Sequence, residues 1–364
     1  MIPINRPWLG EEEKLEVMRV IEENALTSAA SDGGRRVRDF EGALGSYLGS
    51  KHVIAVNSGT AALHAALLAA GVGPGDDVLL PAFTFVATAN AVVASGARPV
   101  FVDIKKSDYT IDSQDMKRKI GRRTKAVIPV HLYGHPCDAE IFEIAEKRSL
   151  AVIEDACQSL GSTFRGRQTG TLGMMGCFSM YASKVLTSGE GGAIVTDDDR
   201  LAGKLKMIRN HGMVHGYDTR VLGLNLRLPE MSAAIAKVQM VKLGAMLDAR
   251  RRNAELMSRL LSGVKGVALP AETADKKFNW YLYTVAFATA KAREAAKVAL
   301  EKAGIGSAVY YDPPVHRTPF YRKAAPKTKL PATEWCAGRV LSLPVHPGVA
   351  QADVERTAAT IAAL

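Results

Sequence analysis

Aromatic residues make up only 6% of this 364-residue chain, and there are four cysteines. Cys137, Cys157, Cys177 and Cys336 lie far apart and form no C-x-x-C pair. That argues against a zinc ribbon or a disulfide-built scaffold and fits a reducing cytoplasm. No apolar run is long enough to span a bilayer. The opening stretch, MIPINRPWLGEEEKLEVM, has no apolar signal core and turns acidic early. The expectation is a cytoplasmic protein with no membrane partner. Internal repeats and low-complexity segments are also missing.

Several motifs are absent too. There is no G-x-x-x-x-G-K-[ST] loop and no H-E-x-x-H pair. GEGGAIV lacks the G-x-G-x-x-G pattern and does not lead from a strand into a helix, so nicotinamide binding is a poor reading. His131 and His135 are four apart in VHLYGHP, but they sit at a strand end before Pro136, and no metal site is expected there. Acidic residues are outnumbered: Lys plus Arg total 47 against 37 Asp plus Glu, a net charge of +10. The basic residues are scattered through segments such as KLKMIRNHG and LDARRRNAELMSRL, with no aromatic-interleaved patch. A solvated basic surface explains them, and no nucleic-acid partner is expected. A secondary role for the positive field is to draw in an anionic small molecule such as a nucleotide diphosphate.

What is present is a long alternation of strands and helices. HVIAVN (52–57), DVLLP (77–81), PVFVDI (99–104), TKAVIPVHLYG (124–134) and LAVIEDA (150–156) read as strands. AALHAALLAAG (61–71), TFVATANAVVASG (84–96) and AEIFEIAEKRS (139–149) read as helices between them. CFSMYA and GGAIVTDD read as a hairpin-like pair around a turn that carries Lys184. Continuous apolar strands between helices predict an α/β fold with a mostly parallel sheet covered on both faces. After about residue 240 the pattern changes to one long helix, KLGAMLDARRRNAELMSRLLSG, then YLYTVAFAT (281–289), REAAKVALEKAG (293–304), a Pro-rich stretch (310–331) and a last helix. The expected division is a large domain over 1–245 and a small α+β domain over 246–364. Residues 27–41, TSAASDGGRRVRDFE, read as a loop facing the substrate.

Four places can carry chemistry. Ser58-Gly59-Thr60 turns from a strand into a helix, whose first N–H groups suit an anion. For an isolated S-G-T a plain helix cap is the ordinary explanation. Asp155 ends a buried strand, where α/β sheets place ligands, though an aspartate there can equally be a helix cap; Gln158 follows three residues on. Lys184, with Ser179 five residues before it, is a candidate for carbonyl attack or a solvated loop lysine. Phe83 and Phe85 can lie on an aromatic ring or fill the core, with the core as the default.

In order, SGTAAL, GPGDDVLLPAFTFVATANAV, GARPVFVDI, TKAVIPVHLYG, IEDACQSLGS, CFSMYASKVLTSGEGGAIVT, RNHG and GLNLRLPEMSAAI resemble the DegT/DnrJ/StrS family of sugar aminotransferases. The resemblance runs from about residue 2 to the C-terminus. It implies the aspartate-aminotransferase fold and pyridoxal 5'-phosphate (PLP) as cofactor. It matches Lys184 to the lysine that carries PLP and Asp155 to the carboxylate facing the pyridine nitrogen. Gln158 matches a contact to the ring oxygen. Gly59, Thr60 and Ser179 match phosphate contacts, and Phe85 matches the ring that stacks on the pyridine. Asn225 matches a residue reaching the phosphate from a partner subunit, which implies a homodimer with a shared site. The implied reaction moves an amino group from glutamate, leaving 2-oxoglutarate, to C3 or C4 of a nucleotide-linked keto-deoxysugar. Relatives with histidine in place of the lysine are dehydratases, so Lys184 argues for transfer. The alternatives are a keto-cyclitol acceptor, elimination or racemisation on the same cofactor, and a regulatory protein built on this fold.

Overall fold

The structure, a computed structural model, describes residues 1–324 and 328–364. Two helices come first, α1 (Glu11–Glu22) and α2 (Arg35–Leu48). Strands and helices then alternate: β1 (His52–Val56), α3 (Gly59–Ala69), β2 (Asp77–Pro81), α4 (Val86–Ala94), β3 (Arg98–Val102), α5 (Ser113–Lys119), β4 (Thr124–Val127), α6 (Ala139–Lys147) and β5 (Ala151–Asp155). Short strands β6 (Thr163–Phe164) and β7 (Arg167–Gln168) precede β8 (Met175–Ser179), β9 (Gly192–Thr196) and α7 (Asp199–Arg209). The long α8 (Glu230–Leu261) leads to β10 (Val267–Ala268), β11 (Lys276–Lys277), β12 (Tyr283–Phe287) and α9 (Ala290–Lys302). The chain finishes with α10 (Pro319–Ala324), α11 (Pro331–Ala337), β13 (Val340–Leu343) and α12 (Gln351–Ala362).

The central sheet has seven strands in the order β1-β9-β8-β5-β4-β2-β3. The four pairs from β8 to β3 are parallel, and β9 alone opposes its two neighbours. Every residue of β2, β5 and β9 is buried, as expected for strands covered on both faces. The hairpin-like pair is present: β8 and β9 are antiparallel, with Ser179 opposite Gly192 and the Lys184 turn between them. A second, antiparallel sheet, β10-β12-β13, packs with the end of α8, α9 and α12 through Met257, Leu261, Leu300, Leu341, Val354 and Ile361. The N-terminus joins this cluster, since Ile2 is buried in it and bridges to Ile305.

Three expectations need correction. Residues 27–41 are not one loop: from Arg35 onward they are α2. Val37, Phe40, Leu44 and Leu48 recur at helical spacing and are buried, and that stripe outweighs the local Ser, Gly and Arg content. The strand expected over 124–134 stops at Val127. Pro129 cannot donate to a ladder, and the chain leaves the sheet there. The long helix begins at Glu230, not near 242, because the stretch MSAAIAKVQM holds no helix breaker after Pro229.

Candidate active site

The carboxyl ends of β1, β2, β5 and β8 open into one cavity of about 490 Å³. This is where an open α/β sheet exposes the start of each following helix. Asp155 ends β5 and lies inside, only 6% exposed. Its Oδ2 accepts a hydrogen bond from Thr88 Oγ1 at 2.8 Å, and its Oδ1 accepts from the Cys157 N–H at 3.2 Å. No lysine or arginine among the described residues comes within ion-pair distance of this carboxylate. The cap-like contact and the pocket position coexist in one side chain.

Strand alternation sends the preceding residue, Glu154, to the opposite face. Glu154 is fully buried and accepts from His131 Nε2 (2.7 Å) and from the N–H groups of Gly170, Leu172 and Gly173 at 2.6–2.8 Å. Since His131 Nδ1 accepts from the Cys137 N–H, the ring hydrogen sits on Nε2. His131 therefore supports the strand end from behind. His135 stacks on Phe278, with ring centroids 4.1 Å apart.

At the end of β1, Ser58 caps α3, its Oγ accepting from the Ala61 N–H at 3.1 Å. The N–H groups of Gly59 and Thr60 start the helix, with no helical carbonyl behind them. Both residues line the cavity beside Ser179. A Cβ on Gly59 would lie 2.8 Å from Ser179 Cβ and 2.9 Å from Cys157 Sγ, so only glycine lets the three segments meet. Helix-start donors, the hydroxyls of Thr60 and Ser179 and a close-packed glycine together suit an anion.

Lys184 stands in the turn between β8 and β9. The turn is closed by the Met180 N–H to Gly191 O (2.8 Å) and the Ser188 N–H to Met180 O (2.9 Å). Lys184 Nζ lies 4.8 Å from the centroid of the Tyr281 ring and makes no ion pair among the described residues. Burial, reinforced by Asp155, pushes the neighbouring Cys157 thiol well up, so it stays protonated.

The two phenylalanines separate cleanly. Phe83 is fully buried, edge-on to Tyr133 and Tyr311. Phe85 is 55% exposed and lines the cavity. Gln158 lines it too, with Oε1 accepting from the Tyr133 N–H at 2.8 Å and Nε2 donating to the Tyr311 hydroxyl at 3.0 Å. Gly59, Thr60, Phe85, Asp155, Gln158, Ser179 and Lys184 are thus brought together. Asn225 is not among them. It is exposed and bridges to Asn210, and its carbonyl accepts from Asn57 Nδ2.

Thr88 and four of the ten tyrosines, Tyr181, Tyr281, Tyr310 and Tyr311, also line the cavity and were missed in the sequence. Thr88 carried a usable signal: it follows Thr84 by one helical turn, and the two hydroxyls are 2.9 Å apart. Burial pushes the phenols of Tyr310 and Tyr311 up, so these two stay neutral.

The profile of the DegT/DnrJ/EryC1/StrS aminotransferase family matches residues 8–362. The chain belongs to that family. Among curated relatives, it is 41% identical over 330 residues (90% of this chain, 88% of the relative) to the UDP-N-acetyl-3-dehydro-alpha-D-glucosamine 3-aminotransferase of Acidithiobacillus ferrooxidans. It is 40% identical over 342 residues (93% and 91%) to a pleiotropic regulatory protein of Geobacillus stearothermophilus. Among solved structures, Streptomyces venezuelae DesV, in complex with a ketimine intermediate, superposes with a TM-score of 0.92 at 34% identity, covering 99% of this chain and 98% of DesV. The chain is accordingly a PLP-dependent aminotransferase of the sugar-aminotransferase family, with the fold its sequence implied. Among the described residues no helix is long and apolar enough to cross a membrane.

Proposed function

We propose that this aminotransferase moves the amino group of L-glutamate to the C3 or C4 keto group of a nucleotide-linked keto-deoxysugar, with Lys184 as its reactive amine. One observation carries the reading: a cation-free carboxylate, an acid-free lysine and an anion cradle share a single 490 Å³ cavity. The residues fit PLP. Gly59, Thr60 and Ser179 would hold its phosphate, Phe85 would cover its ring, and Gln158 would meet its ring oxygen. Lys184 would hold its carbonyl carbon. When bound, the cofactor supplies an electron sink for the pair left on a substrate carbon after proton removal.

The protein's own groups do the rest. Asp155 would hold a proton on the cofactor's ring nitrogen, and Thr88 and the Cys157 N–H fix that carboxylate's orientation. Lys184 Nζ, freed by the incoming amine, would take the proton from the substrate carbon and give it back as the acid of the same transfer. The second half-reaction runs the same transfers in reverse, so ping-pong kinetics follow. Asn225 would complete the phosphate site of a partner subunit, which makes the working unit a homodimer. The same reading divides the chain into 1–245 and 246–364, with α8 running across the boundary, and places the enzyme in the cytoplasm.

Support for a nucleotide sugar over a neutral keto-cyclitol comes from the net charge of +10 and from the UDP-sugar relative. The test is 2-oxoglutarate release from glutamate with a nucleotide 3-keto sugar, a nucleotide 4-keto sugar or a keto-cyclitol as acceptor. Turnover with one of the nucleotide sugars is expected. Turnover with the cyclitol alone would overturn the choice of substrate. Salt-dependent binding of duplex DNA with no amino transfer would favour the regulatory alternative.

A further inference from the structure

The turn that carries Lys184 is tied down from outside. Asn5, 178 residues away in the chain, donates from Nδ2 to the carbonyl of Ser183, the peptide directly before Lys184. The Asn5 Oδ1 accepts from Arg250 Nη2 at 2.9 Å. Arg250, on α8, is 2% exposed. Its Nη1 donates to the carbonyls of Tyr281 (3.1 Å) and Trp280 (3.4 Å). The ring of that Tyr281 is the one beneath Lys184 Nζ, and its hydroxyl lies 3.2 Å from Ser183 Oγ. One guanidinium thus reaches Lys184 by two routes, through Asn5 to the backbone and through Tyr281 to the ring under the amine.

Arg250 is an expensive way to fill that space. It has no carboxylate partner among the described residues, and its Nε has no hydrogen-bond partner at all. Burial depresses its pKa to about 10. A well-packed apolar side chain often serves stability as well as a buried charge does. What an apolar side chain does not supply is a rigid fork of donors with fixed directions.

The segment bearing Asn5 is held by the other end of the chain. The Ile2 N–H donates to Gly304 O (2.9 Å), the Gly306 N–H donates to Ile2 O (2.7 Å), and His346 Nε2 donates to Pro3 O (3.1 Å). His346 Nδ1 accepts from the Gly348 N–H, which leaves the ring hydrogen on Nε2.

We infer that Asn5 and Arg250 are positioning residues for Lys184: acting through Ser183 and Tyr281, they set where the amine stands. Neither touches the reacting atoms. The inference rests on the reading that Lys184 is the amine that takes PLP.

Asn5→Asp separates the two arms, since aspartate still accepts from Arg250 but has no hydrogen to give to Ser183 O. Asn5→Ala removes both arms. Ile2→Ala loosens the same segment by packing alone. The experiment mixes cofactor-free protein with pyridoxal phosphate, follows the growth of the visible absorbance band in a stopped-flow instrument, and records thermal unfolding of each cofactor-free variant. Both Asn5 variants should form the band about tenfold more slowly, the scale expected when a reacting group loses its orientation. Ile2→Ala should lower the melting temperature and keep the wild-type rate. A wild-type rate in Asn5→Asp overturns the inference, as does equal slowing in Ile2→Ala, which would mean that any loosening suffices. If Asn5→Asp does not fold, Asn5→Ala and Arg250→Lys carry the same test, and a wild-type rate in the folded one rejects the proposal. If the wild type forms no band, the PLP-binding role of Lys184 falls and this inference falls with it. A normal wild-type band with unaffected variants removes the inference alone.

Discussion

Two partly buried regions of this protein bring lysines and aspartates together, and they are arranged in opposite ways. In the first, Lys105 and Lys276 face Asp108 and Asp138 in a closed square. Lys105 Nζ is 2.7 Å from Asp108, and Lys276 Nζ is 3.0 Å from Asp108 and 2.5 Å from Asp138; Lys105 also meets Asp138. In the second, Asp155 has no cation and Lys184 no carboxylate, although both line one cavity. The square satisfies its charges internally and is a stability device. The cavity leaves a carboxylate without a counter-cation and an amine without an acid, and so able to act on a ligand. Residue type does not separate the two regions; the pairing does.

Substitutions should break activity and stability apart along this line. Lys184→Ala should lower kcat by at least about 10³-fold, the scale of losing an acid–base group that also holds the cofactor, and unfold at nearly the wild-type temperature. Steady-state turnover beside a thermal melt checks both halves. Asp155→Asn keeps the shape and can still accept from the Cys157 N–H, but it loses the charge and the acceptor that faces Thr88 Oγ1. It should reduce kcat/KM by about 100-fold, in the range seen for losing one electrostatic contact in a site. Thr88→Val should cost about tenfold in kcat/KM, the worth of one hydrogen bond to a charged group.

The square should behave the other way. Burial opposes ionisation of Asp108, yet Lys276 and Lys105 together hold its carboxyl at about 2, below the ordinary 3.8. A carboxylate depressed on folding adds stability that is full above its unfolded pKa and fades as pH falls through the folded value. Asp108→Asn should therefore cost about 2 kcal/mol of stability at neutral pH, with the deficit shrinking between about pH 4 and pH 2. Denaturant titrations at several pH values measure this, and kcat per folded molecule should stay unchanged.

The cavity's two walls also differ in how far they were legible. The wall built from strand ends was readable, because a strand must finish somewhere and the next residues then face the ligand crevice. Asp155, Ser58-Gly59-Thr60 and the Lys184 turn each sit at such a point. The opposite wall comes from Tyr281, Tyr310 and Tyr311, roughly a hundred residues or more further along, and the Lys184 turn is tied by a hydrogen bond from Asn5. No local period marks those positions, since only the packing of the second sheet brings them to the cavity. Phe83 and Phe85 show the limit within a single segment. Two residues apart, one fills the core and the other faces the cavity, and propensity does not distinguish them. The misreading of residues 35–41 was of another kind. Local Arg and Gly content suggested a loop, while the stripe of Val37, Phe40, Leu44 and Leu48 already specified a buried helix.

The central claim is that one lysine, left without an acid, is the amine that reacts. The most direct test incubates the purified protein with pyridoxal phosphate, reduces it with borohydride, digests it and maps the pyridoxyl group by mass spectrometry. The account predicts the label on the peptide that contains Lys184, and its loss in Lys184→Ala. A label on another lysine, or no label on a folded protein, would contradict it.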